Sequence, residues 1–163
     1  EVINAVQMAR NVGIKVVGCF IIGLPHSTIH SVRANIKFAK KLGLDSSYFN
    51  LLVPYPGTEI YNWAKENARF LADWKEGFFQ GLNPKIVIET DEFRASERLR
   101  AYYEANTKLR NYFAFVKEDQ DVLRNALRIV GAIIRYDAPG VFSHVSYLIR
   151  HLRRILNRIH QYY

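Results

Sequence analysis

Apolar positions along this chain recur with two different periods, and the switch between them marks out the elements. Residues 14 to 22, IKVVGCFII, are almost continuously apolar and β-branched. That is the pattern of a strand covered on both faces, as in the interior of a parallel sheet. From Thr28 to Leu42 the period lengthens, and Ile29, Val32, Ile36 and Ala39 share one face while Arg33, Lys37, Lys40 and Lys41 mostly fall elsewhere. An outer helix is predicted there, capped by Ser27 or Thr28 and closed by Gly43. Tyr48 to Val53, YFNLLV, returns to strand character, and a further helix is expected from about Glu59 to Phe70.

Strand, helix, strand, helix in this order, with a crossover of this length, predicts parallel pairing in an α/β fold. A third strand is expected at Lys85 to Glu89 after the turn-forming residues 81–84. Beyond about residue 90 the pattern becomes wholly helical. Segments 96–116 and 121–136 carry helical spacing, and after the breaker Asp137-Ala138-Pro139-Gly140 a last helix is expected from Val141 onward. The chain therefore divides into residues 1–90, an α/β portion, and 91–163, a helical extension. The opening segment is itself helical, with Val2, Val6 and Ala9 in register, and it has neither a cap nor an initiating methionine. It reads as the interior of a longer chain.

Composition narrows the picture in three ways. With 163 residues, 49% of them hydrophobic and 23% charged, the chain can bury one sizeable core. The single cysteine, Cys19, leaves no partner for an internal disulfide or for a metal site built from several thiolates. No apolar run is long enough to cross a bilayer and no leader precedes the first helix, so a cytoplasmic location is expected. The net charge of +8 is concentrated toward the two ends, and every basic residue after Asp121 is an arginine.

Two loops carry the informative motifs, and each follows a predicted strand. Such loops emerge at the carboxyl edge of a parallel sheet, where ligands of these folds bind. The first is GCFIIGLPHST, residues 18–28, in which Gly23 would let backbone approach a ligand and Pro25 stiffens the exit. The second is PYPGTEIY, residues 54–61, a corner of two prolines and a glycine with Thr58 placed to cap the next helix. Together, one helix and one strand apart and preceded by a Gly-Ile-x-Val entry at Gly13 to Val16, they resemble the second half of the barrel of radical SAM enzymes. The fifth strand of that family typically ends Phe-Ile-x-Gly-Leu-Pro-Gly-Glu-Thr, and many members continue the sixth into Pro-x-Pro-Gly-Thr. The likeness covers residues 1 to about 70. His26 and Ser27 depart from it, standing where the family has Gly and Glu.

The resemblance implies a partial parallel barrel of radical SAM type, truncated at its N-terminal side and followed by an α-helical extension. It implies a parent enzyme that binds S-adenosylmethionine on a [4Fe-4S] cluster and cleaves it reductively, drawing electrons from a flavodoxin or ferredoxin. The cluster-binding cysteines would lie in the missing N-terminal part, so this chain alone would be inactive. The helical extension also resembles the cobalamin-binding branch, which makes cobalamin a second candidate cofactor. Carried over by position, Ile21 would contact adenine and Cys19 the ribose. Gly23 would allow close approach, and Phe49, Leu51 and Val53, alternating on the next strand, would line the same pocket. The substrate is expected to be a small molecule, and no catalytic residue is assigned.

Other constellations are weaker. His26 and His30 are four apart but lack a third ligand, and His144, His151 and His160 show no metal spacing. No phosphate loop, nucleophile elbow or dinucleotide fingerprint occurs. A second functional reading rests on the tail, where Leu148, Ile149, Leu152, Ile155, Leu156 and Ile159 form a stripe beside Arg150, Arg153, Arg154 and Arg158. Such a basic amphipathic helix would make the chain an interaction module for an anionic membrane or nucleic acid.

Overall fold

A computed structural model describes residues 1–78, 84–111 and 122–148. Helix α1 (Val2–Asn11) leads to strand β1 (Val17–Ile22), helix α2 (Ile29–Leu42), strand β2 (Ser46–Leu51) and helix α3 (Glu59–Asn67). Two short strands follow, β3 (Arg69–Phe70) and β4 (Ile88–Glu89), then helices α4 (Ala95–Lys108) and α5 (Val122–Asp137). Residues 141–148 are again helical. The proposed tail helix lies mostly in 149–163, outside the described residues.

β1 and β2 pair in parallel, with Cys19 opposite Tyr48, Phe20 opposite Phe49 and Ile21 opposite Asn50. Asp45 starts the ladder, since its carboxylate accepts from Val16 N at 2.8 Å and its own N–H donates to Val16 O at 3.0 Å. A further bond from Leu52 N to Ile22 O, 2.8 Å, carries the pairing past the last strand residue. One face of the pair forms the core. Phe20 and Phe49 stack with ring centroids 4.5 Å apart, and Ile22 and Leu51 continue the row. Val32, Ile36 and Ala39 of α2 cover them, together with Ala101, Tyr102 and Ala105 of α4; Ile129, Ala132 and Ile133 of α5 complete this core. The α2 stripe thus buries as its spacing predicts.

The expected partial parallel barrel is not formed. The sheet stops at two strands, and the third predicted strand shrinks to Ile88–Glu89, which pairs antiparallel with Arg69–Phe70 in a separate two-stranded sheet. The physical reason is visible at the outer edge of β2. Backbone groups alternate in direction along a strand, so with Leu52 turned toward β1 those of Phe49 point away from it. There Asn106 of α4, almost wholly buried, donates from Nδ2 to Phe49 O at 3.1 Å and to Tyr102 O at 2.9 Å. A helix side chain occupies the position where the next strand would pair. The sequence pattern registered the apolar face of α4 but not this polar residue within it. The other face of the pair, expected to be covered, is open: Val17, Cys19 and Ile21 are exposed.

Candidate functional site

The two loops at the carboxyl ends of β1 and β2 share one local design. In the first, Ser27 N donates to Leu24 O at 3.0 Å, closing a turn with Pro25 in second place and His26 in third. His26 has φ 59°, the left-handed conformation that this position of a type II turn requires. In the second, Thr58 N donates to Tyr55 O at 3.2 Å, with Pro56 second and Gly57, φ 86°, third. Each turn ends at a helix cap. Thr28 Oγ1 accepts from Ser31 N at 3.3 Å, and Ser31 Oγ accepts from Thr28 N at 3.0 Å. Thr58 Oγ1 likewise accepts from Tyr61 N at 3.3 Å. The proline presets φ, the third residue reverses the chain, and the hydroxyl receives the first free amides of the helix.

What approaches Gly23 is a side chain of the protein itself. Arg98 of α4, 2% exposed, donates from Nη1 to Gly23 O at 3.3 Å and from Nε to Phe93 O at 2.9 Å. Its guanidinium lies 5.2 Å from the centre of the Phe93 ring. Gly23 has φ 97°, and a methyl group there would overlap the Arg98 guanidinium. Burial lowers the Arg98 pKa to about 10 while the nearby Glu89 carboxylate opposes the shift, so the clamp stays charged at neutral pH. Glu89 in turn holds the start of α4. It accepts from Ala95 N at 2.7 Å and pairs with Arg69, while Arg94 lies 3.7 Å away. The Ala95 amide and then the Arg69 hydrogen bond hold its carboxyl below the ordinary carboxylate range, against the cost of burial.

The six residues assigned from sequence fall in four places. Cys19 and Ile21 lie on the open face of the sheet, where their partners across the ladder are Tyr48 and Asn50. Phe49 and Leu51 point the opposite way, into the core beneath α2 and α4. Gly23 sits under Arg98 at the strand end, and Val53 joins Leu52, Ala64, Val87 and Ile88 in a second apolar cluster beside α3. Alternation placed Phe49, Leu51 and Val53 together, but the ladder ends at Leu51 and Val53 already belongs to the loop. Asn50, exposed next to Ile21, and Leu24 and Tyr55 at the loop starts are the exposed neighbours that sequence reasoning passed over. Asn50 carried a signal: it is the one amide in the predicted strand Tyr48 to Val53. Among the described residues, no three or more His, Cys, Asp or Glu side chains are grouped to hold a metal ion, and no helix is long and apolar enough to cross a membrane.

No protein-family model matches the chain. It is similar to a protein of Pyrococcus horikoshii named as an uncharacterised methyltransferase, 43% identical over 104 residues that make up 62% of this chain and 22% of that protein. A more distant similarity joins it to bacteriochlorophyllide d C-8(2)-methyltransferase of Chlorobaculum tepidum, 25% identical over 89 residues, 54% of this chain and 19% of that protein. The chain spans about a fifth of the length of these curated relatives. The radical SAM assignment is therefore corrected: no family model supports it, and the relatives carry methyltransferase names. Its physical weakness lies in the motifs. Both loops are solutions to one problem, turning a strand into a capped helix, and that problem recurs across α/β folds. Neither relative's name mentions an iron–sulfur cluster or cobalamin, and neither cofactor has other support.

Proposed function

We propose that this chain is part of a methyltransferase and that the open face of β1 and β2, at its carboxyl end, receives S-adenosylmethionine. The observation that carries the reading is an exposed apolar and amide surface at the end of a parallel pair, in a chain similar to proteins named methyltransferases. Its chemistry suits an adenosine. Ile21, 47% exposed, offers an apolar surface for a flat ring, and Asn50 beside it carries both a donor and an acceptor for a ring edge. Cys19 and Tyr48, two ladder pairs further from the strand end on the same face, would face the sugar. Phe49 and Leu51 act from beneath by fixing the strand, and Gly23 with Arg98 fixes the loop. Residues up to about 90 supply the contacts, and the helices beyond supply the clamp. When bound, S-adenosylmethionine would supply an activated methyl group for a small-molecule acceptor.

The test is binding of S-adenosylmethionine to the full-length protein by calorimetry. Ile21→Asp and Asn50→Ala, both at exposed positions, are each expected to weaken it about tenfold, the equivalent of about 1.4 kcal/mol. Arg10→Ala, which only loosens the contact of α1 with Gly43 O at 2.6 Å, leaves it unchanged. Undiminished binding in both site variants, or no binding by the unaltered protein, overturns the reading.

A further inference from the structure

A second surface lies on the far side of α2, away from the open sheet face, and it is built from cations. Two clefts adjoin there. One, of about 730 Å³, runs between α2, α4 and α5 and is lined by Arg33, Arg100, Lys108 and Arg135 with the rings of Tyr103 and Tyr136. The other, of about 620 Å³, runs along α2 and takes in Arg33, Lys37, Lys40 and Lys108. They meet at a shared rung. Arg33 donates to both oxygens of Glu104, Nε at 3.2 Å to each and Nη2 at 3.0 Å to Oε2, and Lys108 Nζ reaches Oε1 at 2.8 Å. Burial alone would raise the Glu104 carboxyl, but the hydrogen bonds from Arg33 and Lys108 outweigh it and hold its pKa low.

Glu104 offsets one of the two cations that hold it, so the rung keeps a net positive charge beside the outer cations. Among the described residues the two clefts are lined by six Lys or Arg side chains against two carboxylates, Glu104 and Asp137. Lys37, Lys40, Arg100 and Arg135 are exposed and have no carboxylate within ion-pair distance among the described residues. Cations facing one another across a cleft repel, and nothing in the fold requires them there: α2 and α4 are already held by their apolar faces. Tyr103 and Tyr136, ring centroids 6.0 Å apart and 24° from parallel, line the same cleft, and the Arg135 guanidinium lies 5.6 Å from the centre of the Tyr136 ring. Cationic side chains in line with aromatic rings are the means by which proteins hold a phosphodiester strand and stack its bases. A flat anionic bilayer would not enter two concave clefts.

We propose that the paired clefts about the Arg33–Glu104 rung bind a single-stranded nucleic acid, its phosphates following Lys40, Lys37, Arg100 and Arg135 and a base entering beside Tyr103 and Tyr136. This site is separate from the open sheet face and does not rest on the methyl-transfer reading. The test is fluorescence anisotropy of the full chain with a labelled oligouridylate about twelve nucleotides long, titrated between about 50 and 200 mM salt. Binding is expected to fall steeply with salt. Lys37→Glu with Lys40→Glu, and separately Arg100→Glu with Arg135→Glu, are each expected to weaken it at least tenfold and to flatten the log–log salt slope by about 1.4, two contacts at roughly 0.7 each. Circular dichroism checks that both variants remain folded. The proposal is overturned by no binding, by unchanged binding in both folded double variants, or by equal displacement of the oligonucleotide by inorganic polyphosphate of matched charge. Vesicles rich in phosphatidylglycerol that bind more tightly than the oligonucleotide, with the same dependence on these residues, overturn it in favour of a membrane.

Discussion

The loops after β1 and β2 make the same turn around a proline in second place, yet they are held in place by different forces. Tyr55 to Thr58 rests on apolar packing: Tyr55 meets the Trp74 ring edge-on at 5.6 Å, and Leu52 and Val53 are buried beside it. Leu24 to Thr28 is fastened from the other half of the chain by one buried guanidinium, Arg98, on the carbonyl of Gly23. Packing tolerates small shifts in direction, whereas a charged hydrogen bond in a buried setting fixes one geometry and leaves costly unpaired groups if it is lost. The second loop is therefore a corner, and the first is a latch between residues 75 positions apart.

Substituting the two glycines breaks this comparison most sharply. Gly23→Ala must place a methyl group into the Arg98 guanidinium in left-handed backbone. It is expected to destabilise the fold by about 3 kcal/mol in urea denaturation, combining conformational strain with overpacking. Gly57→Ala meets nothing within 4 Å and should cost only the conformational part, about 1–2 kcal/mol. Equal losses would mean that Arg98 is not a latch.

Exchanging the residue at the third turn position gives a smaller effect of opposite sign. His26→Gly relieves a side chain held at positive φ and should raise stability by about 0.5–1 kcal/mol in the same denaturation experiment, with Gly entropy in the unfolded chain taking back part of the relief. Asymmetry between the loops has its finest reading in pH. Glu89 has a folded pKa below its ordinary value of 4.5, so the stability it contributes is fully present above that value and is lost as pH falls through the lowered one. It anchors the start of α4, which carries Arg98. Amide-exchange protection factors, which remove the intrinsic slowing of exchange in acid, are therefore expected to fall at residues 23–28 as pH drops below 4.5 while those at 54–58 change less, and Glu89→Gln should abolish the difference.

Much of the local structure could be read from spacing alone, because local structure is what periodicity encodes. The helix over Ile29–Leu42, its cap and its buried stripe follow from residues within one or two turns of each other. So does the parallel handover from Val17–Ile22 to Ser46–Leu51, since the crossover between them admits little else. What escaped were contacts made across the chain by polar residues in apolar company. Asn106 covering the edge of β2, Arg98 beneath Gly23 and Glu104 against Arg33 sit on a helix whose sequence signal is its apolar spacing. No periodicity marks such residues, because their partners lie 57, 75 and 71 positions away. The same blindness inflated the barrel, since strand character in a segment says nothing about which edge remains available. Of the candidate site, the strand residues were legible, but their division between open and covered faces required the position of α4.

Cys19, the chain's one thiol, stands on the exposed side of β1 two ladder pairs from Ile21 and Asn50. A maleimide dye or nitroxide attached there goes to a single address, with no competing sulfhydryl to blur the signal. The protein thus carries its own gauge for whatever settles on that surface: an occupant shields the sulfur and slows alkylation, while anything bound in the cationic clefts behind α2 leaves the rate alone.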